Sequence, residues 1–370
     1  MRRAYRSLAV SAIALLVALG VACASAAPAP QPAPTAPAAG PVAAPQPADA
    51  PPGPAAVPVP EREHIRVMYG SVSGSMAPLW IADDKQLFKK YGLAVDVQYA
   101  ETTIGASALV SGEAQFNIND GVSGFHAIAA GSPIKMVATF GTKNNYAIVV
   151  RPEITRPEDL RGKTIALLRP GDTTDVSARI GLKPYGLRLG EDVQPLQVGN
   201  SPTRLSALLT GQVAAALLAE AFVDQALAQG MRVLISLEKE DRPYLSTVVL
   251  MPTEFGRANP NTVQAFLKTM IEATKFYADP ANRAEVLPLM ARQLKLDPSD
   301  PTVADAYEYF HVRLKRDPTP DREGAEAILD ALRGIDPAVY QTLTVDDVFD
   351  SSYMNTLVAS GFVQAMYGSP

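Results

Sequence analysis

The sequence predicts an α/β protein of two similar units, with mixed, largely parallel sheets, flanking helices and an inter-lobe cleft. Three observations carry this. From Ile65 onward, short β-rich runs alternate with helical patterns. The order then repeats from Thr164. The pattern Ala108-Leu109-Val110-Ser111-Gly112-Glu113-Ala114-Gln115 also returns as Ala207-Leu208-Leu209-Thr210-Gly211-Gln212-Val213-Ala214. In each copy the glycine is placed to end a helix in the left-handed conformation it tolerates best, and a short apolar strand follows. Chance similarity of two helix ends is the alternative.

In the first unit, Ile65 to Tyr69 reads as a strand. Leu79 to Tyr91 reads as one helix, with Pro78 in its first turn and Gly92 at its end. Ala94 to Tyr99 is a strand, and a helix runs to Ser111. Phe116 to Ile118, a helix around His126 to Ala129, and Ile134 to Phe140 follow. In the second unit, Thr164 to Leu168 is a strand and a helix ends near Tyr185. Val193 to Val198, a helix from Pro202 to Thr210, Ala214 to Leu218, a helix to Gln229 and Arg232 to Ile235 complete it. Residues 261–363 read as mostly helical. Two apolar extended segments flank the second unit, Tyr146 to Val150 and Thr247 to Met251. They are placed to cross between lobes, with ordinary core strands as the alternative.

The start of the chain reads as an address. Arg2, Arg3 and Arg6 precede an uncharged apolar segment from Leu8 to Val21. That is a signal peptide's layout, and it is short of the roughly twenty residues a spanning helix needs. Gly20-Val21-Ala22-Cys23 resembles a bacterial lipobox, with Leu19 one place earlier than the usual Leu, so Cys23 is expected to carry lipid. Cleavage at Ala24-Ser25-Ala26 is the alternative. Between Ala27 and Pro60 stand thirteen of the 32 prolines and one charge, Asp49. Such a stretch cannot bury a core and favours an extended tether. The expected divisions are 1–23 leader, 24–62 tether, 63–148 and 249–370 lobe 1, and 149–248 lobe 2.

Several chemistries are excluded. Cys23 is the only cysteine, so no disulfide framework or cysteine zinc site is possible. Losing the leader arginines moves the formal charge from −5 to −8, and no basic tract of the nucleic-acid-binding kind occurs. His64, His126 and His311 are isolated, with no H-E-x-x-H. Gly162-Lys163-Thr164 lacks the first glycine of a phosphate loop. Ser236-Leu237-Glu238-Lys239 lacks the companion motifs of the serine β-lactamases. No carboxylate pair stands out as a catalytic dyad.

Loops at strand ends remain. Ser73-Gly74-Ser75 precedes the helix at Pro78. Thr102-Thr103-Ile104-Gly105 precedes the next helix. Asn119-Asp120-Gly121, Gly171-Asp172-Thr173-Thr174 and Gly199-Asn200-Ser201 each follow a strand. Ligands of open α/β sheets bind beyond the carboxyl ends of the strands. Small and hydroxylated residues there can leave backbone N–H groups free for an anion or polar oxygens. Plain helix capping is the alternative for any one loop.

Met76-Ala77-Pro78-Leu79-Trp80-Ile81-Ala82, then Leu87-Phe88-Lys89-Lys90-Tyr91-Gly92-Leu93, resembles the start of the substrate-binding proteins of nitrate/sulfonate/taurine ABC importers. That superfamily also holds relatives of the yeast thiamine-pyrimidine synthase. Pro157 to Ile165 resembles the family's opening of its second lobe, and the likeness covers roughly Ile65 to Ala278. It implies a two-lobe periplasmic binding protein (type II) that closes on a solute by hinge motion. It also implies a periplasmic or cell-surface monomer that delivers a small polar or anionic solute to a membrane permease, with no cofactor or metal and no catalysis. A ligand-sensing lipoprotein signalling to a membrane receptor is the alternative. An enzyme like the synthase would lack its cysteine-rich motif.

The family's cleft loops fall on Ser73, Gly74, Ser75, Thr102, Thr103, Asp120, Asp172, Thr173 and Thr174, with Asn200 added from its loop. Glu220 keeps the acid of a Trp-Glu-Pro-like motif. Gln115 and Ala214 stand where the family commonly has Asp. The helical spacing of Trp80 with Ile81 and Phe88 predicts a core role rather than stacking on an aromatic solute.

Overall fold

The computed structural model describes residues 58–219 and 222–368. Ten strands form two five-stranded sheets of matching order. Sheet A holds β1 (His64–Tyr69), β2 (Ala94–Tyr99), β3 (Phe116–Asn119), β4 (Ile134–Gly141) and β10 (Thr247–Pro252), in the order β2-β1-β3-β10-β4. Sheet B holds β5 (Tyr146–Val150), β6 (Thr164–Leu167), β7 (Gln194–Gln197), β8 (Ala215–Ala219) and β9 (Arg232–Ser236), in the order β7-β6-β8-β5-β9.

In sheet A, β1 pairs in parallel with β2 and β3, while β10 runs antiparallel to β3 and β4. In sheet B, β6 pairs in parallel with β7 and β8, while β5 runs antiparallel to β8 and β9. Each sheet therefore has four strands one way and one reversed. The reversed strand is the one that has crossed from the other lobe: β5 follows β4 of sheet A, and β10 follows β9 of sheet B. The crossing predicted for Tyr146 to Val150 and Thr247 to Met251 is thus observed. Both strands are almost wholly buried, which their continuous apolar runs require.

The repeated pattern is one of backbone. Helix α3 (Thr102–Ser111) ends at Gly112, φ +76°, and feeds β3. Helix α6 (Ser201–Leu209) runs out into Gly211, φ +79°, and feeds β8. Most remaining strand and helix ends fall within a residue or two of their predicted places.

The single helix expected over Leu79 to Tyr91 is corrected. It breaks into α1 (Ala77–Asp84) and α2 (Leu87–Lys90) at Gln86, whose φ is +55°. The break turns α2 so that the Phe88 ring stacks on Phe266 at 6.1 Å.

Helices α4 (Gly121–Ala129), α5 (Thr173–Leu182) and α7 (Val223–Ala228) belong to the two units. The C-terminal region supplies α8 (Thr253–Ala258), α9 (Pro260–Ala278), α10 (Arg283–Leu294), α11 (Pro301–Phe310), α12 (Arg322–Arg333), α13 (Pro337–Tyr340) and shorter turns. One face of sheet A is covered by α1, α9, α10 and α11 over an aromatic core containing Trp80, Phe116, Phe266, Tyr277 and Tyr307. Trp80 is 2% exposed and meets Tyr69 edge-on at 6.1 Å, so its role is packing. Helix α12 packs on both α4 and α5 through Ala325, Ile328, Leu329 and Leu332, joining parts of both lobes in one apolar cluster.

Candidate functional site

The carboxyl ends of β1, β3, β4 and β6 and the two crossings face a cavity of about 1260 Å³. From sheet A it is lined by the Gly70–Met76 loop without Val72 or Gly74, by Asn119 and Asp120, by Ser123 and His126 of α4, and by Lys143 after β4. Sheet B contributes Leu168 to Thr174. The crossings contribute Asn145, Tyr146, Tyr244, Ser246 and Thr247, and the C-terminal region Tyr309, Phe310 and Arg313. A ligand beyond strand ends, between two lobes, is the arrangement open α/β sheets favour.

Two carboxylates meet here from opposite lobes. Asp120 caps α4: Ser123 N donates to Oδ1 at 3.0 Å and the Ser123 hydroxyl to Oδ2 at 2.6 Å. Asp172 caps α5: Oδ1 accepts from Thr174 N at 2.9 Å, Asp175 N at 3.2 Å and the Thr174 hydroxyl at 2.6 Å. The Thr173 hydroxyl donates to Asp120 Oδ1 across the cleft at 3.4 Å. The N-termini of these helices thus already hold built-in anions. That revises the expectation of free helix N–H groups awaiting an anionic solute, since a bare oxyanion would meet two carboxylates instead.

Two buried polar atoms on lining residues have no hydrogen-bond partner among the described residues: Asp172 Oδ2 and Thr247 Oγ1. Leaving such groups unmatched costs about 1–3 kcal/mol each, so the site is built for polar partners. Burial, with the Asp120 charge, holds the Tyr244 phenol well above its usual range. Burial raises Tyr146 as well; the Arg204 guanidinium opposes this, while Asp172 and Asp120 add to it. Both phenols keep their protons and can donate. Of the lining cations, Lys143 pairs with Asp241, and Arg313 with Glu238 at 2.5 Å. Arg169 is exposed and has no ion pair among the described residues.

The predicted site residues divide. Ser73, Ser75, Asp120, Asp172, Thr173 and Thr174 line the cavity. Gly74 does not; a Cβ there would lie 2.6 Å from a Phe310 ring carbon, so its place is one of close packing. Asn200 lies outside the lining and serves α6 as a cap, accepting from Thr203 N at 3.2 Å. Thr102 and Thr103 open α3, and their side chains lie outside the described residues, as do Glu220 and Cys23. His126, Lys143, Tyr244, Thr247 and Arg313 were not singled out as ligand groups by sequence. Tyr146 and Thr247 carried a usable signal, since a strand that crosses between lobes starts at the cleft floor.

Fold and cleft define a two-lobe α/β protein with a cavity between its two sheets. A family model described as NMT1/THI5 like matches residues 73–283, and the chain belongs to that family. It is 32% identical over 204 residues to the taurine-binding periplasmic protein of Escherichia coli strain K12, covering 52% of this chain and 61% of that protein. The chain thus spans less than two thirds of that relative's length. Two solved structures share the fold. The periplasmic aliphatic sulphonate binding protein SsuA of Escherichia coli superposes with a TM-score of 0.63 at 19% identity, over 79% of this chain and 94% of that one. The periplasmic nitrate-binding protein NrtA of Synechocystis PCC 6803 superposes with a TM-score of 0.62 at 16% identity, over 85% and 91%.

Proposed function

We propose that this chain is the extracytoplasmic solute-binding component of an ABC importer, closing its lobes on a small polar solute and delivering it to a membrane permease. The observation that carries this is the cavity itself, walled by both sheets and floored by the two crossings. Lobe 1 would comprise residues 63–148 with 249–370, and lobe 2 residues 149–248. Binding would fall to Ser73, Ser75, Asp120, Asp172, Thr173 and Thr174, joined by Tyr244 and Arg169. No reaction is assigned to it, and it would act as a monomer.

The charges refine the solute. Asp172 Oδ2 and Thr247 Oγ1 lack partners among the described residues, and two carboxylates face the space. A solute that offers an ammonium group as well as an anion fits this better than a bare anion, with Arg169 available to the anionic end. The relative's name makes taurine the first candidate. Calorimetry should find taurine bound at least about tenfold tighter than ethanesulfonate, a gap of about 1.4 kcal/mol. Asp172→Asn should erase most of that gap. Equal or tighter binding of ethanesulfonate or nitrate would remove the ammonium reading. Failure of all three, with no ligand retained in native mass spectrometry, would count against the solute-binding reading.

We read the leader as placing the protein in the periplasm or at the cell surface, with lipid on Cys23 as its anchor. Among the described residues no helix is long and apolar enough to cross a membrane. A mature intact mass lacking Cys23 would end the anchoring claim alone.

A further inference from the structure

His126 makes two hydrogen bonds that join three parts of the molecule. It stands on α4 of the first lobe and lines the cavity. Its Nε2 lies 2.8 Å from the Gly171 carbonyl, in the loop of the second lobe that carries Asp172 and Thr173. Its Nδ1 lies 2.6 Å from the Tyr340 hydroxyl, at the end of α13 in the C-terminal region. A carbonyl can only accept, so Nε2 carries a proton and donates to Gly171, while Nδ1 shares a hydrogen bond with the Tyr340 hydroxyl. Both ring nitrogens are thereby used.

The far end of this relay is fixed as well. Arg333 of α12 donates to the Tyr340 carbonyl at 3.3 Å and the Leu343 carbonyl at 2.8 Å. Helix α12 meets the second lobe through Lys183 and Asp330 at 2.8 Å, and through Arg179, which donates to the Gly334 carbonyl at 3.4 Å. Among the described residues, the other hydrogen bond between the ends of α4 and α5 is the longer one from Thr173 to Asp120.

We propose that His126 is a positioning residue for lobe closure: a latch that holds the Gly171 loop of the second lobe against α4, aligned by Tyr340 of the C-terminal region. This rests on reading the cleft as the solute site, but the latch is complete without a solute and can be tested without one. One hydrogen bond of ordinary net strength changes an open-to-closed ratio about 2- to 10-fold.

The test uses the full chain with Cys23→Ser, so that spin labels at Ile104→Cys and Leu209→Cys are the only ones. Both positions are exposed, one on the first-lobe helix α3 and one on the second-lobe helix α6. Double electron–electron resonance then reads the inter-lobe distance distribution with no solute added. His126→Ala should raise the open fraction about 2- to 10-fold. Tyr340→Phe should move it the same way by less, because the ring keeps its bond to Gly171 but loses its aligner. His126→Gln, whose amide N–H can still donate to a carbonyl, should restore much of the closed fraction. If His126→Ala keeps its melting temperature and its distances match the parent, the latch is overturned. If Ala and Gln variants open alike, the role is packing and not the bond. A failure of taurine and ethanesulfonate to bind would leave this distance readout standing.

Discussion

The two lobes share a strand order and differ in what covers it. Sheet A is packed under α1, α9, α10 and α11, over stacked and edge-on aromatic rings such as Phe116 on Phe266 at 4.0 Å. The cluster on one face of sheet B is small and largely aliphatic, built on Val149, Leu208, Ala216 and Leu218. It also borders a buried cation: Arg204 is 2% exposed and donates to the Leu217 and Gly199 carbonyls and the Ser201 hydroxyl, with no carboxylate bonded to it among the described residues. Equal topology does not mean equal robustness. The first lobe is a heavy platform, and the second is a lighter jaw held together partly by one guanidinium.

The strongest way to break that contrast is in the platform. Phe266→Ala removes a fully buried ring that touches Phe116 and Phe88, and should cost about 3–5 kcal/mol in urea unfolding. A cost below about 1.5 kcal/mol would mean that the aromatic layer collapses readily and is no platform. Next comes the jaw. Arg204→Met strands two carbonyls but also removes a costly buried charge, so a smaller net loss of about 2 kcal/mol is expected. Hydrogen exchange should locate that loss in α6 and β8 while α1 and α9 keep their protection. A more stable variant would show that the cation costs more than its bonds return.

Much of the fold was legible in local sequence because its signals are local. Gly112 and Gly211 each end a helix through their own backbone freedom, and β5 and β10 announce themselves as unbroken apolar runs. Gln86 was not legible, because a left-handed glutamine is imposed by Phe88 docking on Phe266, 178 positions further along the chain. The site was half legible for the same reason. Asp120 and Asp172 are caps with a local signature, and the fold turns both toward the cavity. Asn200 has the same signature, and the fold turns it away. His126 and Tyr244 acquire meaning only from partners and neighbours far away in sequence.

The caps give a smaller and more discriminating comparison. Asn200→Ala and Asp172→Ala both remove an N-cap in the second lobe, and each should cost about 1 kcal/mol of stability. On the proposed reading, only Asp172→Ala should also weaken the binding of a solute such as taurine, because only Asp172 lines the cavity. Equal effects on calorimetric affinity would show that the cap matters to the solute only through the stability of the lobe.

The smallest effect belongs to the platform alone, where the first described residues attach. Glu61 accepts from Asn261 N at 3.0 Å, Thr262 N at 2.9 Å and the Thr262 hydroxyl at 3.2 Å, at the opening turn of α9. Burial pushes its carboxyl up, but the bonds from Asn261 and Thr262 outweigh it and hold the group below the usual carboxylate range. A folded pKa below the unfolded value of about 4.3 means the contribution is fully present above that pH. It is lost as pH falls through the folded pKa. Because Glu61 is largely exposed, solvent screening limits it to on the order of 0.5 kcal/mol. Glu61→Gln should therefore lower stability slightly at pH 7, and its difference from the parent should shrink on acidification, by urea unfolding at pH 7 and pH 3. If the difference persists unchanged at pH 3, the charge on Glu61 is not what clamps this segment to α9, and its attachment there is steric.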